Sequence, residues 1–201
     1  MRLMSGLTGC VTATLIVRIR STFGGMNSSF PPDPCLGRLM DDWQGVAVLL
    51  CDPLMNVRVA NDLGAALLGG LRYTDNLFRL VFLDPAATDF FTEWTHIAAA
   101  ATDVLHTIVA EGQPPGLDDL LGELTERSGD FRRIWAGHDL SSDARRVKRL
   151  RHPVVGELTL FCDIFDVARL PGHRVLALQA EPDSPSEHAL GLLGSLALRA
   201  S

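Results

Sequence analysis

One run, Arg151-His-Pro-Val-Val-Gly-Glu-Leu-Thr-Leu160, restricts what this chain can fold into more than any other stretch. Pro153 and Gly156 punctuate an apolar alternation, which reads as a hairpin entering a strand. The strand continues to Phe165. Leu158, Leu160, Cys162 and Ile164 alternate with Thr159, Phe161, Asp163 and Phe165. Both sets are mostly apolar, so the pattern predicts a central strand covered on both faces. Upstream, Phe131, Ile134, Trp135 and His138 end an amphipathic helix, and a polar basic linker joins the two pieces.

The remaining elements follow from similar punctuation. Ser28 to Pro34 carries three prolines in four positions, which forbids helix and favours an extended linker. Residues 1–34 are therefore expected to be a disordered leader with a Pro-rich linker, and 35–201 the folded domain. Cys35 to Trp43 can make a short helix. Val46–Leu50 and Val57–Ala60 read as strands joined by a turn over Asp52 to Asn56. Asn61 is a good N-cap for a helix that Gly69 and Gly70 stop. Asp84-Pro85 is taken as N-cap and first residue of a long helix with the stripe Trp94, Ile97, Ala101, Leu105 and Ile108. After the break at Gln113 to Gly116 come a helix with Leu117, Leu120, Leu121 and Leu124, and another from Ser128-Gly129 that buries Phe131, Ile134 and Trp135. Strands follow at Val147–Leu150, Glu157–Phe165 and Arg174–Ala180. Ser184-Pro-Ser-Glu187 is a capping box that opens a C-terminal helix through Leu198. Two strands, a helical middle and an antiparallel sheet define an α+β fold with helices packed on one face. The pattern fits a PAS-like domain.

Charge and composition narrow the function. At 47% hydrophobic and 21% charged residues over 201 positions, one medium domain with a proper core is expected. The net charge of −6 is the balance of +3 before Asp33 and −9 from Asp33 onward. An acidic body is a poor stand-alone binder of a phosphate backbone. Arg145, Arg146, Lys148, Arg149 and Arg151 form one basic cluster, either a solvated strand face or a contact for phosphates or an acidic partner. Cys10, Cys35, Cys51 and Cys162 make no CxxC pair and read as reduced thiols of a cytoplasmic protein. The run Leu7 to Val17 is too short to span a bilayer. His96 and His106 are out of phase on one helix, and no metal pair, phosphate loop or nucleophile motif is present. No cofactor, no metal and no catalytic residue is expected.

Five blocks, in order and spacing, carry a family resemblance. They are Asn76-Leu-Phe-Arg-Leu with Phe82-Leu-Asp-Pro-Ala86, Gly122-Glu-Leu-Thr-Glu-Arg-Ser128, Phe131-Arg-Arg-Ile-Trp-Ala-Gly-His-Asp139, Lys148 to Leu160, and Ala180-Glu-Pro-Asp-Ser-Pro-Ser186. With the first hairpin, Val46 to Gly70, the chain resembles the ligand-binding domain of MmyB-like transcription regulators over most of its length. The resemblance implies a PAS-like fold with an internal pocket. It also implies an N-terminal helix-turn-helix of the XRE type in full-length, largely actinobacterial relatives, and a small apolar ligand such as a fatty acid. Two departures stand out. Residues 1–34 cannot supply the helices of a DNA reader, so contact with DNA is expected only through a helix-turn-helix not present in this chain. Ala60 stands where the family usually has tryptophan before the asparagine that ends strand two.

Within that arrangement the helices line the sheet, and Phe91, Trp94, Phe131 and Trp135 are the expected pocket walls. Such rings also serve as ordinary core. His138, Arg151 and His152 are the candidate polar anchors for a ligand carboxylate, against the plainer role of histidines bonding backbone in turns. The expected function is a non-catalytic sensing domain. The alternatives are an interaction module that pairs as a homodimer or with a full-length relative, and a truncated gene relic.

Overall fold

The computed structural model describes residues 34–112, 114–137 and 146–200. The leader and linker expected over 1–34 thus lie outside the described residues, apart from Pro34. The chain begins with helix α1 (Pro34–Asp41), then strands β1 (Ala47–Cys51) and β2 (Val57–Ala60). The helical block is α2 (Asp62–Leu67), α3 (Leu77–Leu83), α4 (Ala87–Phe90), α5 (Trp94–Glu111), α6 (Leu117–Arg127) and α7 (Gly129–Ala136). It ends with β3 (Val147–His152), β4 (Gly156–Asp166), β5 (Arg174–Ala180) and α8 (Pro185–Ala200). The five strands form one antiparallel sheet in the order β2-β1-β5-β4-β3, so the fold is α+β and PAS-like.

Alternation along β1 separates the two faces of the sheet. Ala47, Leu49 and Cys51 enter the clusters under the helical block and α8, while Val48 and Leu50 join Met40 of α1 and Val175 of β5 on the other side. All five residues of β1 are buried. The centre of the sheet is therefore dry on both faces, with α1 as the only helix on the outer one among the described residues.

Asn61 fixes this corner. Its side-chain oxygen accepts from Val48 N at 2.9 Å and Gly64 N at 2.8 Å, and its amide donates to Met40 O at 3.2 Å and Val46 O at 2.8 Å. One side chain thereby caps α2 and ties it to β1 and α1. Gly64 is needed beside it, because a Cβ there would sit 2.5 Å from Val48 O. Asn76 does the same for α3, accepting from Phe78 N and Arg79 N while donating to Leu54 O and the Asn56 side chain.

Three expectations are corrected. β4 is not the central strand; β5 is, because the N-terminal hairpin pairs with it through β1. Nor is β4 covered along its whole length. Leu158 and Leu160 are buried under α8, but Ile164 is 57% and Phe165 50% exposed. Neither α8 nor α1 reaches that end, where Trp43 meets Phe165 only edge-on at 6.1 Å. Second, Asp84-Pro85 does not open the long helix. The Asp84 carboxylate accepts from Arg72 N, Tyr73 N and Ala86 N, holding a loop. The chain then turns through α4 and bridges Phe91 to Leu150, with Thr92 N donating to Arg149 O at 3.1 Å. That contact pairs part of the otherwise open edge of β3, and α5 starts after it. Third, the buried line of α5 is Ala98, Thr102, Leu105 and Ile108, with Trp94, Ile97 and Ala101 only half-buried.

The later helices follow their sequence stripes. Leu117, Leu120 and Leu124 of α6 and Phe131 of α7 are buried, with Ile134 and Trp135 half-buried. At α8, Ser184 Oγ accepts from Glu187 N, as a capping box predicts, but the Glu187 carboxylate reaches back to Asp183 N at 2.7 Å, one residue before the cap, because Ser184 N donates to Glu181 O. Leu190 and Leu193 then pack on Leu67, Leu158 and Leu160. Each such burial contributes about 1.5–3 kcal/mol. Ser186 Oγ takes Thr159 N at 2.9 Å just past Ala180, where β5 ends, so α8 also completes the hydrogen bonding of β4.

Candidate functional site

The helical block converges on Phe82 of α3. Phe131 meets it at 5.1 Å and Trp94 at 6.5 Å between ring centroids, both edge-to-face. Phe131 stacks on Trp135 at 5.4 Å, and Trp135 lies flat on His106 of α5 at 3.8 Å and 6°. Trp94 Nε1 donates to Val81 O at 2.9 Å, which fixes that ring where α5 begins. Three of the four expected wall residues, Trp94, Phe131 and Trp135, are thus brought into one cluster. Phe131 is fully buried in it, and the two tryptophans are half-buried. Phe91 lies apart, on Phe90 at 5.0 Å and bridged to Leu150.

The expected polar anchors are not brought together. His138 lies outside the described residues. Arg151 and His152 are neighbours on β3 and so point to opposite faces of the sheet. Arg151 is exposed and faces Glu157 at 3.5 Å. His152 is 2% exposed, beside Phe90 at 6.4 Å. Its Nε2 lies 3.2 Å from Ala66 O and its Nδ1 accepts from Val154 N at 3.2 Å. The neutral Nε2–H form satisfies both contacts. Burial pushes the His152 pKa down, against the opposing effect of the Ala66 carbonyl.

Other reactive groups are quenched or paired. Burial pushes the Cys51 thiol up to about 12 and raises Cys162 as well, so both stay protonated and are poor nucleophiles. Glu123 is pushed up by burial, but Arg79 and Arg127 outweigh this and hold it below the usual carboxylate range. Among the described residues no group of three His, Cys, Asp or Glu side chains is placed to hold a metal ion. No helix among them is long and apolar enough to cross a membrane.

Two openings flank α5. At its C-terminal end a groove of about 360 Å³ runs between Pro53, Ile108, Glu111, Pro114, Gly172 and Arg174. At its N-terminal end a niche of about 10 Å³ lies among Glu93, His96, Ile97, Ala100, Lys148 and Arg149. Sequence reasoning placed Lys148 in a surface cluster. Its spacing from Leu150 and His152, both buried, assigns it instead to the core-facing side of β3. The alternation Lys148, Leu150, His152 was the signal available in the sequence.

A single antiparallel sheet with a helical layer on one face, and an aromatic cluster in that layer, defines a PAS-like domain. The model of one family, described as the MmyB-like transcription regulator ligand binding domain, matches residues 32–193, and the chain belongs to that family. No curated protein matches the chain.

Proposed function

We propose that the chain is the non-catalytic sensing domain of a bacterial, cytoplasmic transcription regulator of the XRE type. It binds a small apolar molecule such as a fatty acid and acts on DNA through a helix-turn-helix outside the folded domain. Membership of the ligand-binding family is the observation that carries this reading. The cluster of Trp94, Phe131 and Trp135 supports it, because a pocket for such a molecule needs rigid apolar walls with few polar groups. In this reading the half-buried tryptophans are the members a ligand reaches, and Phe91, bridged to Leu150 of β3, contributes a separate apolar surface.

Native mass spectrometry of the full chain, followed by organic extraction, tests it. A stoichiometric apolar adduct that is lost in Trp94→Ala and Trp135→Ala is the expected result. An adduct retained in both variants rejects these walls, and a bare folded chain rejects ligand sensing. A second reading, pairing with the sensor domain of a full-length relative, is favoured by the exposed Leu192, Leu196 and Leu198 on α8. Light scattering on a mixture of the two proteins decides it, and the absence of any mixed species sinks it.

A further inference from the structure

The solvent side of α8 carries almost no charge. From Ala189 to Leu198 the helix has no ionisable side chain, although one side of it faces water. Leu190 and Leu193 fill the inner side, while Gly191, Leu192, Ser195, Leu196 and Leu198 are exposed. A surface helix normally sets charged residues opposite its apolar stripe, as α6 does with the exposed Asp118, Asp119, Glu126 and Arg127. A helix that is apolar all round is covered all round. Within the described residues α8 packs through its inner side, on α2, β4 and β5.

Gly191 is an independent sign of a second neighbour. Glycine weakens a helix interior, yet Gly191 stands in one with no atom within 4 Å of the place a Cβ would take. Nothing in the folded chain requires the missing side chain. Ser195, one turn on, is also small, and its Oγ donates back to Gly191 O at 2.9 Å, which keeps it low against the helix. Two small residues bordered by Leu192 and Leu198 make a shallow notch, the relief against which another helix packs closely.

The ends of α8 select the occupant. Glu181, Asp183 and Glu187 are exposed at its beginning, and Arg199 is exposed in its last turn. A face that is acidic at one end and basic at the other is complementary to itself turned end for end, as a two-fold pair requires. A two-fold axis beside Leu193 sets Gly191 of each chain against Ser195 of the other and brings Glu187 level with Arg199. A parallel pair would instead stack like charges at both ends.

We infer that the outer side of α8 is a self-association surface, on which a second copy of this chain packs its own α8 antiparallel. This goes beyond the sensing role, whose rings belong to α3, α5 and α7. It also commits the leucines of the second reading to an identical chain rather than to a relative. Three turns per chain cover less than the ~1,200–2,000 Å² of a stable complex, so the pair is reversible and the dilute chain is monomeric.

Sedimentation velocity on the full chain, from nanomolar to high micromolar concentration, is the test. The mass should rise from 21.8 kDa toward twice that value. Gly191→Ala is the diagnostic variant. Alanine strengthens the helix, so melts of the dilute chain should be unchanged or higher, yet its methyl closes the notch and should weaken self-association about tenfold. Leu192→Glu should abolish it, Arg199→Glu should weaken it, and Val154→Ser, on the exposed β3–β4 turn, should leave it unchanged, with melts confirming that each variant is folded. A chain that stays monomeric at high micromolar concentration overturns the inference. So does self-association undiminished in either Gly191→Ala or Leu192→Glu. If the monomeric chain instead forms a mixed species with a full-length relative, the face belongs to that relative and the second reading stands. An apolar adduct on such a monomer leaves the sensing role intact, so the failures are read separately.

Discussion

His152 is one of few ionisable side chains that the fold buries, and both its ring nitrogens are committed to backbone partners. A second proton would break the contact with Val154 N and charge a desolvated ring. Because the folded-state pKa lies below the ordinary 6.5, the unfolded chain takes up the proton first. The stabilisation is thus complete above about pH 6.5 and is lost as pH falls through that value toward the lowered one. Urea midpoints should drop from pH 7 to pH 5, and drop less in His152→Gln; an equal drop in both proteins contradicts the assignment. Part of the residue scale was legible in the sequence. Asn61 announced itself as an N-cap, since a short polar side chain before a helical run has that use. Its bonds to Met40 O and Val46 O were not legible, because they depend on where α1 comes to rest. For the same reason His152 looked like an anchor: nothing local to a turn reveals which carbonyl of α2 will face it.

Among the elements, those defined by their own pattern were readable, and those defined by a neighbour were not. β2, β5 and the stripes of α6 stand where alternation and helical spacing put them. α3 went unread because Leu77-Phe-Arg-Leu-Val-Phe-Leu83 is apolar almost throughout and has no polar face to give it a period. The start of α5 is set by the edge of β3, which recruits Phe91 and Thr92 before the helix can begin. α8 offers a contrast within one element: Leu190 is 1% exposed and Leu192 is 54% exposed. Leu190→Ala should cost about 2–5 kcal/mol in chemical denaturation, and Leu192→Ala about 0.5 kcal/mol or less. Similar losses at both would mean that the outer side of α8 is also buried in solution.

For the whole molecule, the strand order puts β1 and β5 at the dry centre and leaves β3 and the far end of β4 toward solvent. The ion pairs there, such as Arg151 with Glu157 and Arg174 with Asp166, involve exposed carboxylates, so each contributes about 0–1 kcal/mol. Stability should therefore be graded outward. Hydrogen exchange is expected to be slowest in β1 and β5, and faster in the second half of β4; the reverse order would be incompatible with this sheet. The candidate site was legible only as a list of rings. Helical spacing identified Trp94, Phe131 and Trp135, but that they converge on Phe82 depends on how α3, α5 and α7 pack together, and composition carries no information about that packing.

The inward placement of Lys148 has a practical consequence for spectroscopy. Apart from the α-amino group, the chain has one primary amine, and it lines the niche beside Glu93, His96 and Ile97. Reductive methylation with carbon-13 formaldehyde would thus write a single side-chain resonance into the NMR spectrum, with no mutation and no crowding from other lysines. The position of that one peak would report ring currents, protonation and occupancy beside α5 in a single observable.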